Sequence, residues 1–124
     1  MSMRKTAGLV VVVLGLAASS STQPSAVTRR TPQFANESVR VWKSVIAPGQ
    51  PLSLHRHESG RVIVALKGGT LRIVKESGDS RTVTWETGKA YWLPADPPFE
   101  KHGDLNEGRE PIEVMVVELV SRTP

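Results

Sequence analysis

The sequence predicts an all-β domain. From about residue 38 onwards, short runs rich in Val, Ile, Leu and Trp recur, and each ends at Gly, Pro or Asp. Beyond the N-terminal segment, no window of about a dozen residues has the apolar spacing of an amphipathic helix. Roughly seven or eight short strands at such intervals favour a sandwich or barrel, and an antiparallel jelly roll is one arrangement that limits exposed strand edges.

The N-terminal segment is predicted to be a secretory signal peptide. Arg4 and Lys5 precede an apolar run over residues 7–18, and small residues follow it. This is the layout of a signal peptide, and the alternative of a membrane anchor is disfavoured because a spanning helix needs roughly 20 apolar residues. We therefore expect cleavage after Ser19, export to the periplasm or the medium, and no stable membrane insertion of the cleaved protein.

Residues 20–36 are predicted to be a flexible tail, because they are rich in Ser, Thr and Pro and show no periodicity. Residues 37–121 are predicted to be the folded domain. A chain of 124 residues is enough for one domain of ordinary size. It has no cysteine, so the exported domain must be held together by packing without disulfides.

The predicted strands follow in order along that domain. They are residues 38–46, 61–67, 70–75, 81–86, 90–93 and 112–120. Pro48 and Gly49 form a turn after the first strand, and a hairpin turn over 77–79 follows the third. The last strand carries apolar side chains on both faces, so both faces are predicted to be covered. A second subunit of a homodimer could supply part of that cover.

The charge of the chain argues against nucleic acid as a partner. The formal net charge is +4, and Arg4 and Lys5 lie in the predicted signal peptide, which leaves 14 basic and 12 acidic residues, or +2. No basic block or interleaved aromatic patch is present. We therefore expect a small molecule as the partner.

Two histidines lie two residues apart at the end of an extended run. Side chains two apart in a strand face the same side, so the imidazoles of His55 and His57 are expected to lie close together. Neutral imidazole is the commonest protein metal ligand, and a third ligand from a neighbouring strand would complete a site. His102, the third histidine of the chain, is the candidate.

These residues carry a resemblance to the cupins. The first cupin motif is a glycine, five residues, His-x-His, three or four residues, a glutamate, six residues and a glycine. Gly49, His55, His57 and Gly68 match that spacing, and Arg61 stands at the position of the glutamate. The resemblance implies a small single-domain jelly roll of the RmlC-like type, with its pocket inside the barrel.

The second cupin motif is matched less closely. It is a glycine, five residues, Pro-x-Gly, two residues, a histidine, three residues and an asparagine. Gly88 and Pro94 match, and His102 follows three residues late with Asn106 behind it at the motif's spacing; Asp96 and Phe99 stand at the glycine and histidine positions. Phe99 is predicted to be apolar lining. Glu100 and Asp104 flank His102 at two residues' distance, and either could replace the missing carboxylate ligand, although a solvated role is favoured.

Arg61 leaves two interpretations open. In the first, three histidines alone hold the metal, as the resemblance allows: cupins that oxidise small thiols bind iron in this way, and Arg61 would then clamp the carboxylate of a small ligand. In the second, the metal has been lost because a guanidinium repels a divalent cation. Arg61 would then mark a metal-free pocket, or pair at the surface with an acid such as Glu58.

The function that we predict is therefore that of an exported cupin. It would hold a divalent transition metal (Fe, Mn, Ni, Cu or Zn) through His55, His57 and His102, and would bind or act on a small polar molecule, with dioxygenase chemistry as one form. Imidazole ligands alone do not fix the metal. The alternative is a metal-free, non-catalytic module that binds a small ligand or forms oligomers.

Overall fold

The computed structural model describes residues 2–3, 7–16 and 26–120, which contain eight β-strands and no helix. No helix in this part of the chain is therefore long and apolar enough to cross a membrane. The predicted all-β class is confirmed. The strands are β1 (Arg29–Ala35), β2 (Val39–Ile46), β3 (Arg61–Lys67), β4 (Gly69–Lys75), β5 (Ser80–Trp85), β6 (Ala90–Leu93), β7 (His102–Asn106) and β8 (Ile112–Leu119).

The strands form two antiparallel sheets. The larger sheet has the order β1-β2-β8-β3-β6, and the smaller has the order β5-β4-β7. In the larger sheet β8 is the central strand; Ile112 pairs with Ile46 at one end, and Glu118 pairs with Arg40 and Arg61 at the other. In the smaller sheet Leu71 pairs with Asn106.

The hydrophobic core lies between the two sheets. Strands β3, β4 and β8 each bury alternate residues, as the two-residue period of a strand with one face on the core requires. Leu71 of the smaller sheet is completely buried against residues of the larger one. The buried cluster comprises Ile46, Ile63, Ala65, Leu71, Trp85, Ile112, Val114 and Val116.

The outer face of β8 is less covered than the sequence predicts. Its inner residues are buried, but Met115 and Val117 on the other face are half-buried, and Leu119 is exposed. Flanking strands β2 and β3 shield these side chains only from the sides. The outer face thus remains available as an apolar surface.

The predicted tail over residues 20–36 is wrong for its second half, because Arg29–Ala35 form β1 and pair with β2. All seven residues are exposed, and their sequence does not alternate between apolar and polar residues, which is the pattern by which strands are identified. Pro32 lies in this edge strand, where proline is tolerated, and the register shifts between Pro32 and Phe34. The folded domain therefore includes β1, which precedes the predicted start at residue 37.

The predicted signal peptide over residues 1–19 lies partly outside the described residues, and so does its cleavage site at Ser19. Residues 7–16 are described, and they are exposed and have no regular secondary structure. Leu9 and Leu16, for example, expose 90% and 97% of their surfaces. This apolar run therefore takes no part in the core of the domain.

The connection between β2 and β3 runs beside β7 and carries the first two histidines. It begins at the predicted turn, where Gly49 has a φ of 70° in the left-handed region that favours glycine. Leu52 then donates its backbone N–H to the carbonyl of Asp104 at 3.1 Å. His55 and His102 form an isolated antiparallel bridge. This pairing places the connection against the strand that holds the third histidine.

Candidate metal centre

The structure brings the three predicted histidines together. His55 and His102 exchange both backbone hydrogen bonds across their bridge, each at 2.9 Å. His57 follows two residues after His55, and its ring centroid lies 4.9 Å from that of His55 and 5.8 Å from that of His102. One ring nitrogen from each of the three lies within 4.8 Å of the others. Such a cluster could hold a metal ion.

Each histidine has an oxygen beside its Nδ1 atom. The Nδ1 of His55 is 2.7 Å from the carbonyl oxygen of Ser53, and that of His57 is 3.1 Å from Oε2 of Glu118. The Nδ1 of His102 is 3.5 Å from Oδ2 of Asp96. A proton on Nδ1 donated to such an oxygen leaves the Nε2 lone pair free for a metal, and this is how ligating histidines are usually oriented.

The Nε2 atom of His55 supports a metal site independently of these orientations. It is buried and has no hydrogen-bond partner among the residues that the structure describes. A buried polar atom without a partner costs free energy, so such atoms are uncommon in folded proteins. A cation at the centre of the three rings would satisfy it, and the donor set therefore fits a divalent transition metal.

Burial holds two of the imidazoles in the neutral form that binds metals. The pKa of His57 is lowered to about 2, first by burial and then by the positive charge of Arg61. Burial also lowers the pKa of His55, against the opposing effects of its hydrogen bond to Ser53 and the charge of Asp104. Both rings are therefore neutral at physiological pH, and no proton has to leave them when a cation binds.

Arg61 is buried beside this cluster, with only 6% of its surface exposed. Its Nη1 donates to the carbonyl oxygen of Pro94 at 3.3 Å, and among residues 26–120 it forms no direct ion pair. Burial lowers its pKa, while the charges of Asp96, Asp104 and Glu118 act in the opposite direction. The guanidinium remains protonated at neutral pH.

The suggested surface pairing of Arg61 with Glu58 is wrong. Glu58 is exposed and lies 3.5 Å from Arg56, at the rim of the site, while Arg61 is inside it. Phe99 is also misplaced by the prediction, because it is 98% exposed, with a φ of 63°, and does not line the site. The extra residues before His102 form a turn that projects Phe99 into solvent.

Two adjoining cavities meet at His102, and the inner one is also lined by His57. The inner one has a volume of about 40 Å³ and includes Trp42, whose ring is parallel to that of His57 at 6.3 Å. This volume suits an ion with a few waters. The outer one has a volume of about 170 Å³, and Arg61, Asp96 and His102 line both. The larger space could take a small organic molecule next to an ion.

Two further arginines at the cavities were missed by the sequence analysis. Arg81 of β5 lines both cavities, and Arg30 lines the inner one with its guanidinium 5.4 Å from the centre of the Trp42 ring. Arg30 was assigned to the tail and gave no signal of its own. Arg81 lies in a predicted strand, yet only the sheet topology places it at the same cavities as His102.

Comparison with known proteins agrees with this architecture. A cupin domain from Bordetella pertussis is 24% identical, with 80% of this chain and 99% of that one covered and a TM-score of 0.68. An RmlC-like cupin family protein from Methanocaldococcus jannaschii is 16% identical, with 78% and 84% covered and a TM-score of 0.59. A cupin 2 conserved barrel domain protein from Salinispora arenicola is 21% identical, with 76% of each chain covered and a TM-score of 0.54.

The sequence model of one protein family also matches most of the chain. That family is described as "Auxin binding protein", and the match covers residues 24–124. It includes β1, in agreement with the structure and against the shorter domain predicted from the sequence. With its double-stranded β-helix and its histidine cluster, the chain is a small cupin domain that belongs to the auxin-binding-protein family.

Proposed function

We propose that this chain is an exported cupin that binds a divalent transition metal through His55, His57 and His102. It would hold a small carboxylate-bearing molecule beside that metal with Arg61. The observation that carries the metal is the convergence of three imidazoles whose Nδ1 atoms face oxygens, with the buried Nε2 of His55 unpaired. When bound, the metal would supply a Lewis acid or redox centre with open positions for a ligand.

The carboxylate is supported by the charge of the pocket wall. Arg61 is buried and faces the cavities without a direct ion pair among the residues described, and Arg81 lines the same space. A planar guanidinium can bind a carboxylate through two parallel hydrogen bonds. The name of the family's model also refers to binding of a small molecule by its members.

The metal is tested by elemental analysis of the purified full-length protein beside the double variant His55→Ala/His57→Ala. We expect near-stoichiometric metal in the parent and none in the variant, and a fall in the melting temperature of the parent alone when chelator is added. Glu58→Ala is the matched control, because Glu58 neighbours His57 in sequence but is exposed. A parent that contains no metal and takes up no added Zn²⁺ would contradict the proposal.

The carboxylate is tested by adding benzoate or succinate to the metal-loaded protein, with benzamide and succinamide as uncharged controls. We expect the acids to raise the melting temperature of the parent and to have little effect on Arg61→Gln. Equal stabilisation of both proteins would exclude Arg61 as the carboxylate group's partner.

Oxygen uptake with these acids and with small thiols tests the dioxygenase form of the proposal, and uptake that survives in His55→Ala would contradict it.

A metal-free binding module is the second candidate, and the buried charge of Arg61 beside the histidines is the observation that favours it. A divalent ion and a guanidinium repel each other, so the site could bind an anion in place of a metal. Stabilisation by benzoate in a parent that contains no metal would establish this alternative.

Export is supported by the charged start and the exposed apolar run over residues 7–16, which takes no part in the domain. We expect N-terminal sequencing of the protein recovered outside the cytoplasm to begin at residue 20.

A homodimer through the outer face of β8 is supported by the half-buried Met115 and Val117 and the exposed Leu119. Sedimentation analysis with Val117→Lys tests that association.

A further inference from the structure

Three carboxylates surround the histidine cluster, and they do not occupy equivalent positions. Glu118 lies beside Nδ1 of His57, and Asp96 lies beside Nδ1 of His102, so both are behind the rings as seen from a bound ion. Asp96 also accepts the backbone N–H of His57 at 2.7 Å. These two carboxylates therefore orient the histidines and are already in use.

The Asp104 carboxylate lies on the opposite side of the rings. Its Oδ2 is 3.8 Å from Nε2 of His55, and its Oδ1 is 3.9 Å from Nε2 of His102. These distances are too long for hydrogen bonds. Two ligand atoms of one ion, each about 2.1 Å from it at the tetrahedral angle, are about 3.4 Å apart. Relative to His55 and His102, Asp104 thus lies close to where a further ligand of the same ion would be.

The strand geometry explains why Asp104 points there. His102 and Asp104 are two residues apart on β7, so they share a face, and both are buried. The backbone of Asp104 is held by Leu52 from one side and by pairing with Ile73 from the other. Its position is therefore fixed by the same two neighbours of β7 that flank His102, the β2–β3 connection and β4.

The surroundings of the Asp104 carboxylate favour a bound cation. In the described part of the chain its carboxylate accepts no hydrogen bond and has no lysine or arginine within ion-pair distance, although the residue is only 9% exposed. Of the titratable groups in that part of the chain, only the Nε2 atoms of His55 and His102 lie within 4.0 Å of it, and both carry lone pairs when Nδ1 holds the proton. Lone pairs and a carboxylate that converge without a donor repel one another, and a metal ion among them would reverse that interaction.

We propose that Asp104 is a fourth protein ligand of the metal held by His55, His57 and His102. It would supply the negative charge that the glutamate of the cupin motif supplies where Arg61 stands here. This inference rests on the proposed metal site. A His₃Asp set has a net charge of −1, which offsets the repulsion between Arg61 and the ion and distinguishes this site from three neutral imidazoles.

The test compares Zn²⁺ affinity, by calorimetry, in the full-length parent and in Asp104→Asn, which keeps the size of the side chain and removes its charge. We expect the dissociation constant to rise at least about tenfold, and Co²⁺ in the variant to show a changed visible absorption spectrum, because the ligand set has changed. Asp104→Glu, which keeps the carboxylate, should recover part of the affinity. Glu100→Gln is the matched control, since Glu100 flanks His102 on the other side and pairs with Lys75 at 2.8 Å.

The outcomes separate the two proposals. The role of Asp104 would be overturned if Asp104→Asn had the Zn²⁺ affinity and the Co²⁺ spectrum of the parent. If His55→Ala had lost Zn²⁺ in the same experiment, the three-histidine site would remain intact. A parent that binds neither ion would overturn both. The melting temperature of each variant in chelator shows whether it is folded. If Asp104→Asn is unfolded, Asp104→Ser removes the same carboxylate, and an unchanged Zn²⁺ affinity and Co²⁺ spectrum in that variant would overturn the role of Asp104.

Discussion

The two ends of the barrel are both buried but are chemically opposite. At one end Leu71 and Ile112 are at most 2% exposed and pack against other apolar side chains. At the other end His57, Arg61 and Asp104 are 6–9% exposed and face cavities. Burial of apolar groups stabilises the fold, whereas burial of charged groups costs free energy unless they have partners. The apolar end therefore stabilises the fold, whereas the polar end has the buried charges that the proposed metal and carboxylate would require.

The largest effect is expected at the apolar end, from Leu71→Ala. Leu71 is completely buried, and truncation of such a side chain lowers the free energy of unfolding by about 2–5 kcal/mol. Denaturant unfolding in chelator measures this loss. Leu66→Ala makes the same change at a half-exposed position and should cost under about 1 kcal/mol. The Zn²⁺ affinity of the folded variant should not change, and a parallel loss of affinity would mean that the two ends are not independent.

Asn106→Ala should have the next largest effect, although its side chain is polar. Asn106 lies at the apolar end, is 1% exposed, and donates to the carbonyl oxygens of Ile46 and Glu110 at 3.0 and 2.7 Å. Its loss leaves these carbonyl groups without this donor, at a cost of about 1–3 kcal/mol in the free energy of unfolding.

The control for Asn106 is Asn36→Ala. Asn36 accepts backbone N–H bonds at an exposed turn, where water can replace it, so the same chemical change should cost less. Retained Zn²⁺ binding in Asn106→Ala would assign this motif asparagine to the fold. Loss of Zn²⁺ binding in a folded Asn106→Ala protein would instead assign it to the site.

At the polar end, the metal-free protein should lose stability as the pH falls. The unfolded chain takes up a proton at His57 near pH 6.5, while the folded chain keeps that ring neutral down to a pKa of about 2. Below pH 6.5 the unfolded state therefore binds more protons, and the free energy of unfolding falls by up to about 1.4 kcal/mol per pH unit for one such histidine. Stability from this source is complete above pH 6.5.

Urea unfolding in chelator between pH 7.5 and 5.5 measures this slope, and that range lies above the titration of ordinary carboxylates. His57→Gln should give a shallower slope than the parent, because glutamine does not titrate. The lowered pKa of His55 acts in the same direction, so part of the slope should remain. An equal slope in both proteins would show that His57 does not contribute.

Local patterns in the sequence predicted strands β2 to β6 and β8 and the proximity of His55 and His57. Alternation identified β4 and β5, apolar runs identified β3 and β8, and the His-x-His spacing placed two imidazoles on one side. It missed β1 because an exposed edge strand with a proline has no apolar alternation to detect. Arg30 was lost with that strand, although it lies over the ring of Trp42.

The charged surroundings of the histidines could not be predicted for a different reason. Glu118 and Asp96 reach His57 from positions 61 and 39 residues away in sequence, and only the pairing of β8 with β3 and the path of the loop after β6 bring them there. For Asp104 a local signal did exist, since it lies two residues after His102 on the same strand. What the sequence did not show is that it is buried and faces the Nε2 atoms.

The smallest effect is expected for Arg40→Ala, and it tests where the polar end stops. Glu118 uses both oxygens: Oε2 lies beside Nδ1 of His57, and Oε1 is 3.6 Å from Nη2 of Arg40, whose side chain is 62% exposed. Exposed ion pairs contribute about 0–1 kcal/mol. Arg40→Ala should therefore change the free energy of unfolding by less than about 1 kcal/mol and Zn²⁺ affinity by less than about twofold.

Glu118→Gln should weaken Zn²⁺ binding about tenfold, because a carboxylate behind a metal-bound histidine orients the ring and increases its basicity. Arg40→Ala removes the partner of the Glu118 carboxylate at the surface, whereas Glu118→Gln removes the charge of that carboxylate. Calorimetric Zn²⁺ titrations of the pair therefore determine whether Glu118 acts through His57 alone. If Arg40→Ala weakens Zn²⁺ binding as much as Glu118→Gln, the residues that support the site extend through Glu118 to the outer surface of the sheet. The polar end would then not be confined to the inside of the barrel.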